Sequence, residues 1–202
     1  MGARAGKSGR LTSCGERSST LSKDAIFPAM PGVALPGEDS AAALAARRAR
    51  ATAEVQARTG IDDPMIERLV RTFYARVRKD ALLGPVFAER ITDWEPHLER
   101  MFAFWSSVAL MTGRYSGRPM PKHLPLPVDG RHFDRWLGLF ETTAAEVCPP
   151  AAARHFVERA HKIAESLELG IAGARNVMLG KGERLRLPDD EVMLPNGRAH
   201  GI

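Results

Sequence analysis

The chain has 202 residues, of which 44% are hydrophobic and 26% charged, with two cysteines and a formal net charge of +5. This composition is typical of a globular protein and excludes collagen-like, low-complexity and disulfide-rich scaffolds. The longest nearly apolar stretch, 101–111, is far shorter than the roughly 20 residues that a membrane span needs, so we expect no membrane association. Cys14 and Cys148 show neither metal nor redox spacing, which favours a reducing, cytoplasmic compartment.

The positive charge lies mainly near the two ends of the chain. Residues 1–60 carry a net charge of +4, residues 61–173 carry 0, and residues 174–202 carry +1. A protein that binds nucleic acid through its phosphates concentrates Lys and Arg on a folded face. We therefore expect no nucleic-acid partner.

The two ends of the chain differ from its middle in composition. Residues 1–38 are rich in Gly, Ser, Arg and Pro without helical or strand periodicity, which predicts disorder. Ala and Arg over 40–58 predict a peripheral helix that ends at Gly60. These features divide the chain into an N-terminal extension, one helical domain and a flexible C-terminal tail, at 1–60, 61–173 and 174–202.

Apolar residues at helical spacing predict the elements of the central domain. Asp63-Pro64 is typical of a helix start, and the first helix should end near Asp80. A turn at 83–85 and a short helix should follow. Thr92 to Glu95 fits a capping box that opens a distinct helix over 93–111.

The second half of the domain begins with a break in the pattern. Residues 113–129 contain two Gly and four Pro, which is too many for one continuous helix. A helix should then run from Asp129 to Cys148, and a last one should end at Gly170. No stretch alternates as a strand does, so the sequence predicts an all-α fold.

His123 is the unusual residue of this break, because it lies among Pro and apolar neighbours. Zinc fits poorly, since the other histidines form no ligand set and there is no cysteine pair. A histidine in an apolar setting, with His97 one helix earlier, suits a haem iron better. Taken singly, Tyr74, His97 and Trp136 are also compatible with ordinary packing.

Five sequence blocks follow one another in order over about residues 62–170. The blocks are Phe73-Tyr74-x-x-Val77-x-x-Asp80-x-x-Leu83-Gly84-Pro85-x-Phe87, Trp94-x-x-His97, Phe104-Trp105, Thr112-Gly113-x-Tyr115-x-Gly117-x-Pro119-x-x-x-His123-x-x-Leu126, and Phe133-x-x-Trp136-Leu137-x-Leu139-Phe140. Together they closely resemble the group III truncated haemoglobins. The double-glycine motifs of the other truncated haemoglobin groups are absent, as that group implies.

The resemblance implies a two-over-two sandwich of helices with haem b between the distal helix 93–111 and His123, the proximal iron ligand. It places Tyr74, His97 and Trp136 around the distal ligand. Further haem contacts are implied on both sides of the cofactor, with Arg118 and Lys122 beside the propionates. The implied contacts are Phe73, Met101, Trp105, Lys122 and Phe133.

Two donors on the distal side, Tyr74 and Trp136, favour slow release of dioxygen, because each hydrogen bond to a partly negative ligand is worth roughly 1.5–3 kcal/mol.

The leading hypothesis is a haem protein that binds diatomic gases: dioxygen, nitric oxide and carbon monoxide. An alternative is a redox enzyme, dioxygenating nitric oxide or acting on peroxide, with an external reductase. A second alternative is a non-haem helical interaction domain.

Overall fold

The computed structural model describes residues 41–192, which form eight α-helices and no β-strand in that range. The predicted all-α fold is therefore confirmed. The predicted disorder of 1–38 lies outside the described residues. In chain order, α1 to α8 span Ala41–Thr59, Asp63–Val77, Leu83–Arg90, Trp94–Leu110, Met120–His123, Gly130–Val147, Pro150–Ala174 and Asp189–Val192.

Helix α1 is attached to the domain more firmly than the sequence suggested. Its residues Val55 and Thr59 are buried. The Thr52 hydroxyl donates a 2.6 Å hydrogen bond to the carbonyl of Leu110 at the end of α4. Gly60, at a φ of +70°, ends the helix as predicted, since glycine takes this left-handed conformation without steric cost. The expected peripheral helix is thus partly core.

Two helices begin one residue away from the positions that the sequence indicated. Asp62, with extended backbone, caps α2 by accepting a hydrogen bond of 2.8 Å from the Met65 N–H. Asp63 is already helical and does not provide the cap. At α4, Asp93 rather than Thr92 accepts from the Glu95 N–H. In both cases the capping residue is the last one with extended backbone dihedral angles. Two neighbouring polar residues could each serve as the cap, and the sequence does not decide between them.

The last turn of α4 is satisfied by side chains from two other helices. The final carbonyls of a helix have no partner within it and need one elsewhere. Here α1 and α7 supply three donors, at distances of 2.6 to 3.0 Å. The donors and their carbonyls are Thr52 with Leu110, His155 with Ala109, and Arg159 with Val108. These bonds fix the position of α4 against its neighbours.

Four long helices enclose the main apolar core. Helix α2 packs against α4 and α6, and α7 packs against α4 and α6. At the centre the Trp105 indole stacks on Phe140 with ring centroids 4.7 Å apart, and Phe156 meets it edge-on at 5.9 Å. All three side chains are essentially inaccessible to solvent. Burying each such side chain contributes about 1.5–3 kcal/mol to folding.

The segment after α7 departs from the expected flexible tail. Helix α7 runs to Ala174, beyond the predicted end at Gly170. Past it, Leu185 and Leu187 are only 1% and 9% exposed. They belong to a second apolar cluster with residues of α6 and α7. A short extended segment with two buried leucines has no helical period, so the sequence pattern could not indicate this packing. The predicted tail beyond residue 192 lies outside the described residues.

Candidate functional site

The predicted distal residues come from three helices and meet in one aromatic group. Tyr74 of α2 contacts the His97 ring of α4 edge-on, with centroids 5.2 Å apart. Phe73 lies beside Tyr74 at 5.0 Å and meets Trp136 of α6 edge-on at 5.3 Å. Trp136 is stacked on Phe140 at 5.4 Å. The structure therefore brings Tyr74 and His97 into contact, and Phe73 links Trp136 to them.

Two further aromatic side chains join this group. Phe87 of α3 and Trp94 of α4 lie 5.9 and 6.1 Å from the Tyr74 ring, and Trp94 is 5.7 Å from His97. Sequence reasoning placed both in matching blocks without assigning them to the site. The available signal was the W-x-x-H spacing, which puts positions three apart on one helix face. We define the distal group as Phe73, Tyr74, Phe87, Trp94, His97 and Trp136.

Burial keeps the polar members of the distal group uncharged. Tyr74 is 5% exposed, and its burial raises the pKa of the phenol, so the hydroxyl remains a donor at neutral pH. Burial, with a smaller effect of the Arg100 charge, lowers the pKa of His97 to about 4. The Nε2 atom of His97 is buried without a hydrogen-bond partner. Such orphaned buried atoms are uncommon, and this one is available to a ligand.

The predicted iron ligand, His123, is the last residue of the short helix α5. Its Nδ1 lies 2.8 Å from the Pro119 carbonyl oxygen. A carbonyl can only accept, so Nδ1 carries the proton and Nε2 presents a lone pair. This tautomer and this kind of backbone partner are what a metal-binding imidazole requires. The donor set of His123 and His97 therefore fits haem.

The remaining predicted haem residues occupy different surroundings. Met101 of α4 is half-buried and packs against the main core, and Phe133 of α6 is 8% exposed in the second cluster. Lys122 and Arg118 are exposed beside α5. Trp105 is enclosed by core aromatics, which is an ordinary packing environment. The assignment of all five as haem neighbours stays a prediction.

Helix α6 connects the two apolar clusters. Trp136 packs against the main core, whereas Phe133, one turn earlier, belongs to the second cluster. Leu137 packs against both. Leu124, directly after His123, packs against the second cluster. The distal group and the His123 loop thus lie on two clusters that share one helix.

Two surface clefts lie away from these residues. One, of about 360 Å³, is lined by residues of α2 and α4 with Arg114, and the other, of about 430 Å³, lies between α1 and the loop at Thr112. Neither includes a predicted site residue. Over residues 41–192, no group of three or more His, Cys, Asp or Glu is placed to hold a bare metal ion. No helix in the same range is long and apolar enough to cross a membrane.

Comparison with known proteins gives the family. The bacterial-like globin family model matches residues 59–168. A group 3 truncated haemoglobin of Campylobacter jejuni is 34% identical over 113 residues, which cover 54% of this chain and 89% of the relative. A group 1 truncated haemoglobin of Nostoc commune is 38% identical over 72 residues, covering 35% of this chain and 59% of that relative.

The fold agrees with the sequence comparisons. The crystal structure of the group III truncated haemoglobin from Campylobacter jejuni matches this chain with a TM-score of 0.50 and 36% identity, covering 53% of this chain and 88% of that one. The resemblance predicted from the five sequence blocks is thereby confirmed. The chain belongs to the bacterial-like globin family as a group III truncated haemoglobin, and is therefore a haem-iron protein that binds diatomic gases such as dioxygen.

Proposed function

We propose that this chain holds haem b through His123 and retains dioxygen in a polar pocket formed by Tyr74, His97 and Trp136. The observation that carries the proposal is the hydrogen bond from His123 Nδ1 to the Pro119 carbonyl. It fixes the imidazole in the tautomer whose Nε2 can bind iron. When bound, haem supplies an iron with an open position for a diatomic ligand.

The chain's own residues account for tight retention of the gas. The Tyr74 phenol stays protonated because its pKa is raised by burial, and the Trp136 indole is a donor at every pH. Both groups can donate to a ligand that carries partial negative charge. Two donors of roughly 1.5–3 kcal/mol each slow the release of dioxygen by more than tenfold. Slow release of dioxygen is more compatible with a protein that retains the gas, or uses it in a reaction, than with one that delivers oxygen in bulk.

Removal and rescue of the proximal imidazole test this proposal. Haemin is added to the purified wild type and to His123→Gly, each is reduced with dithionite, and carbon monoxide is then introduced. For the wild type we expect a saturable Soret band that shifts with carbon monoxide. For His123→Gly we expect the ferrous spectrum to change and to be restored by free imidazole.

His161→Gly is the matched control, because His161 is an exposed helical histidine whose ring hydrogen-bonds Glu141. Its spectrum should equal that of the wild type. An unchanged spectrum in His123→Gly, without any effect of imidazole, would show that another residue binds the iron. Absence of a saturable Soret band in the wild type would favour the non-haem interaction domain instead.

A second candidate function, redox turnover of nitric oxide or peroxide, is favoured by His97. Its neutral imidazole, with a buried and unpartnered Nε2, lies in contact with Tyr74 and can exchange a proton within the pocket. Such turnover would need electrons from an external reductase. Consumption of nitric oxide or peroxide over many cycles with a supplied reductant distinguishes this function from gas binding alone.

A further inference from the structure

The segment 183–189, here called the strap, lies across the start of α6 and the C-terminal half of α7. Buried and exposed residues alternate along it. Leu185 and Leu187 are buried, whereas Arg184 and Arg186 are exposed. This alternation is that of an extended segment with one face on a core. The strap follows the matched family region, which ends at residue 168.

The backbone polar groups of Leu185 and Leu187 are all hydrogen-bonded. The Gly130 N–H donates to the Leu185 carbonyl at 2.9 Å, and the Leu187 N–H donates to Asp129 Oδ2 at 3.2 Å. The Leu185 N–H donates to Glu168 Oε1 at 2.8 Å, and the Arg131 guanidinium donates to the Leu187 carbonyl at 3.1 Å. Every backbone polar group of the two leucines therefore has a partner on α7 or at the start of α6.

Glu168 depends on the strap for its charge partners. This side chain of α7 is 5% exposed. Arg184 Nε donates to both of its carboxylate oxygens, at 3.0 and 2.8 Å, and the Leu185 N–H supplies the third bond. A buried carboxylate without partners is strongly unfavourable. The strap supplies all three of these hydrogen bonds, so its displacement would break them, and the ion pair helps to hold the strap in place.

The strap also completes the apolar cluster beneath the His123 loop. Leu185 and Leu187 share this cluster with Val128 and Phe133. Leu124, which follows His123 directly, packs against the same cluster. Asp129, wholly buried, both caps α6 and binds the strap, so the loop from 124 to 129 ends at a strap contact.

We propose that the strap and Glu168 are positioning elements for the proximal histidine, so that haem retention depends on this C-terminal extension. The proposal rests on the proposed role of His123 as the iron ligand. Loss of strap packing should free the loop 124–129. The imidazole would then be held less firmly, although no strap residue touches the iron.

The test compares Leu185→Ala and Glu168→Gln with two controls in the full-length protein. Met178→Ala makes a similar truncation in the same C-terminal region at a side chain that is 94% exposed. Val55→Ala creates a cavity in α1, on the main core, and so controls for general loss of stability. The readouts are the rate of haemin transfer to excess apomyoglobin, the iron–histidine stretching band of the ferrous protein, and amide hydrogen exchange over 120–130.

We expect Leu185→Ala to speed haemin loss at least tenfold, to shift or broaden the iron–histidine band, and to raise exchange over 120–130. Glu168→Gln keeps an acceptor for the Leu185 N–H but loses the ion pair, so its effects should be smaller and in the same direction. Met178→Ala should match the wild type, and Val55→Ala should leave the band unchanged.

The proposal would be overturned if Leu185→Ala loses haemin at a rate within twofold of the wild type, with an unchanged iron–histidine band and unchanged hydrogen exchange over 120–130. This holds even where His123 is shown to bind iron. If the wild type takes up no haemin, the proposed function fails. Hydrogen exchange over 120–130 still decides separately whether the strap orders that loop. Should Leu185→Ala not fold, Glu168→Gln carries the same comparison.

Discussion

A backbone carbonyl sets the tautomer of His123, the proposed iron ligand. The Pro119 carbonyl oxygen accepts a hydrogen bond from Nδ1 of His123, and this contact leaves Nε2 free to bind a metal. In the distal group, burial shifts the pKa values of two side chains in opposite directions, and both shifts favour the uncharged form. It raises the pKa of Tyr74 and lowers that of His97, so both remain uncharged at neutral pH.

The Tyr74 hydroxyl should control gas release. Tyr74→Phe removes this donor while keeping the ring contacts with Phe73 and His97. We expect dioxygen to dissociate at least severalfold faster, because one hydrogen bond of roughly 1.5–3 kcal/mol is lost. Stopped-flow displacement of dioxygen by carbon monoxide measures this rate. An unchanged rate would exclude Tyr74 from the distal role.

Helix α4, the proposed distal helix, is held by specific hydrogen bonds at both ends. Its N-terminus is capped by Asp93, and its last carbonyls are bound by side chains of α1 and α7. Its C-cap is Met111, which has a φ of 59°. A left-handed backbone at a residue with a Cβ costs roughly 1–2 kcal/mol, so this helix ends under local strain.

Met111→Gly should therefore stabilise the protein. The side chain is 54% exposed, so its loss removes little packing. Relief of the strain, offset by about 0.5–1 kcal/mol from the greater freedom of glycine when unfolded, should raise the Tm by about 1–4 °C. Met178→Gly is the control, since Met178 is not among the described residues with positive φ. A Tm that falls equally in both variants would contradict the strain argument. Differential scanning calorimetry provides the measurement.

Across the whole molecule, buried titratable groups link folding to pH. Burial lowers the pKa of His155 and His97 below the ordinary value of 6.5, to about 4 for His97. Hydrogen bonds from Arg131 and the Leu187 N–H hold the pKa of Asp129 at about 2 despite its burial. Both histidine shifts favour the neutral histidine in the folded state relative to the unfolded chain, and the shift of Asp129 favours its ionised form.

The sign of the resulting pH dependence follows from these shifts. As the pH falls below 6.5, His97 and His155 take up protons in the unfolded chain before they do so in the folded state, so the free energy of unfolding should fall. Below about 4 the Asp129 contribution is lost as well. Guanidinium unfolding curves at pH 7.0, 5.5 and 4.5 test this. His155→Gln, which keeps a donor for the Ala109 carbonyl, should show a smaller decrease between pH 7.0 and 4.5 than the wild type. Identical pH dependence in the two proteins would exclude His155 as a source.

Local sequence patterns were sufficient to predict the helical elements and the candidate iron ligand. Helical periodicity, Asx residues and prolines act over a few neighbouring residues, so they are readable without a structure. They predicted the all-α fold and the break that contains His123. The family was indicated separately, by the resemblance of five sequence blocks to the group III truncated haemoglobins. The roles assigned to the distal and haem-contacting residues stay predictions that the proposed experiments test.

Which distant groups meet is visible only in the folded chain. The bond from His155 to Ala109 joins positions 46 apart in the chain, and that from Leu187 to Asp129 joins positions 58 apart. No local pattern encodes such pairs, because they arise from tertiary packing. The same reason explains why the strap resembled a tail in the sequence. Two buried leucines in an extended segment gain their meaning only from the cluster against which they pack.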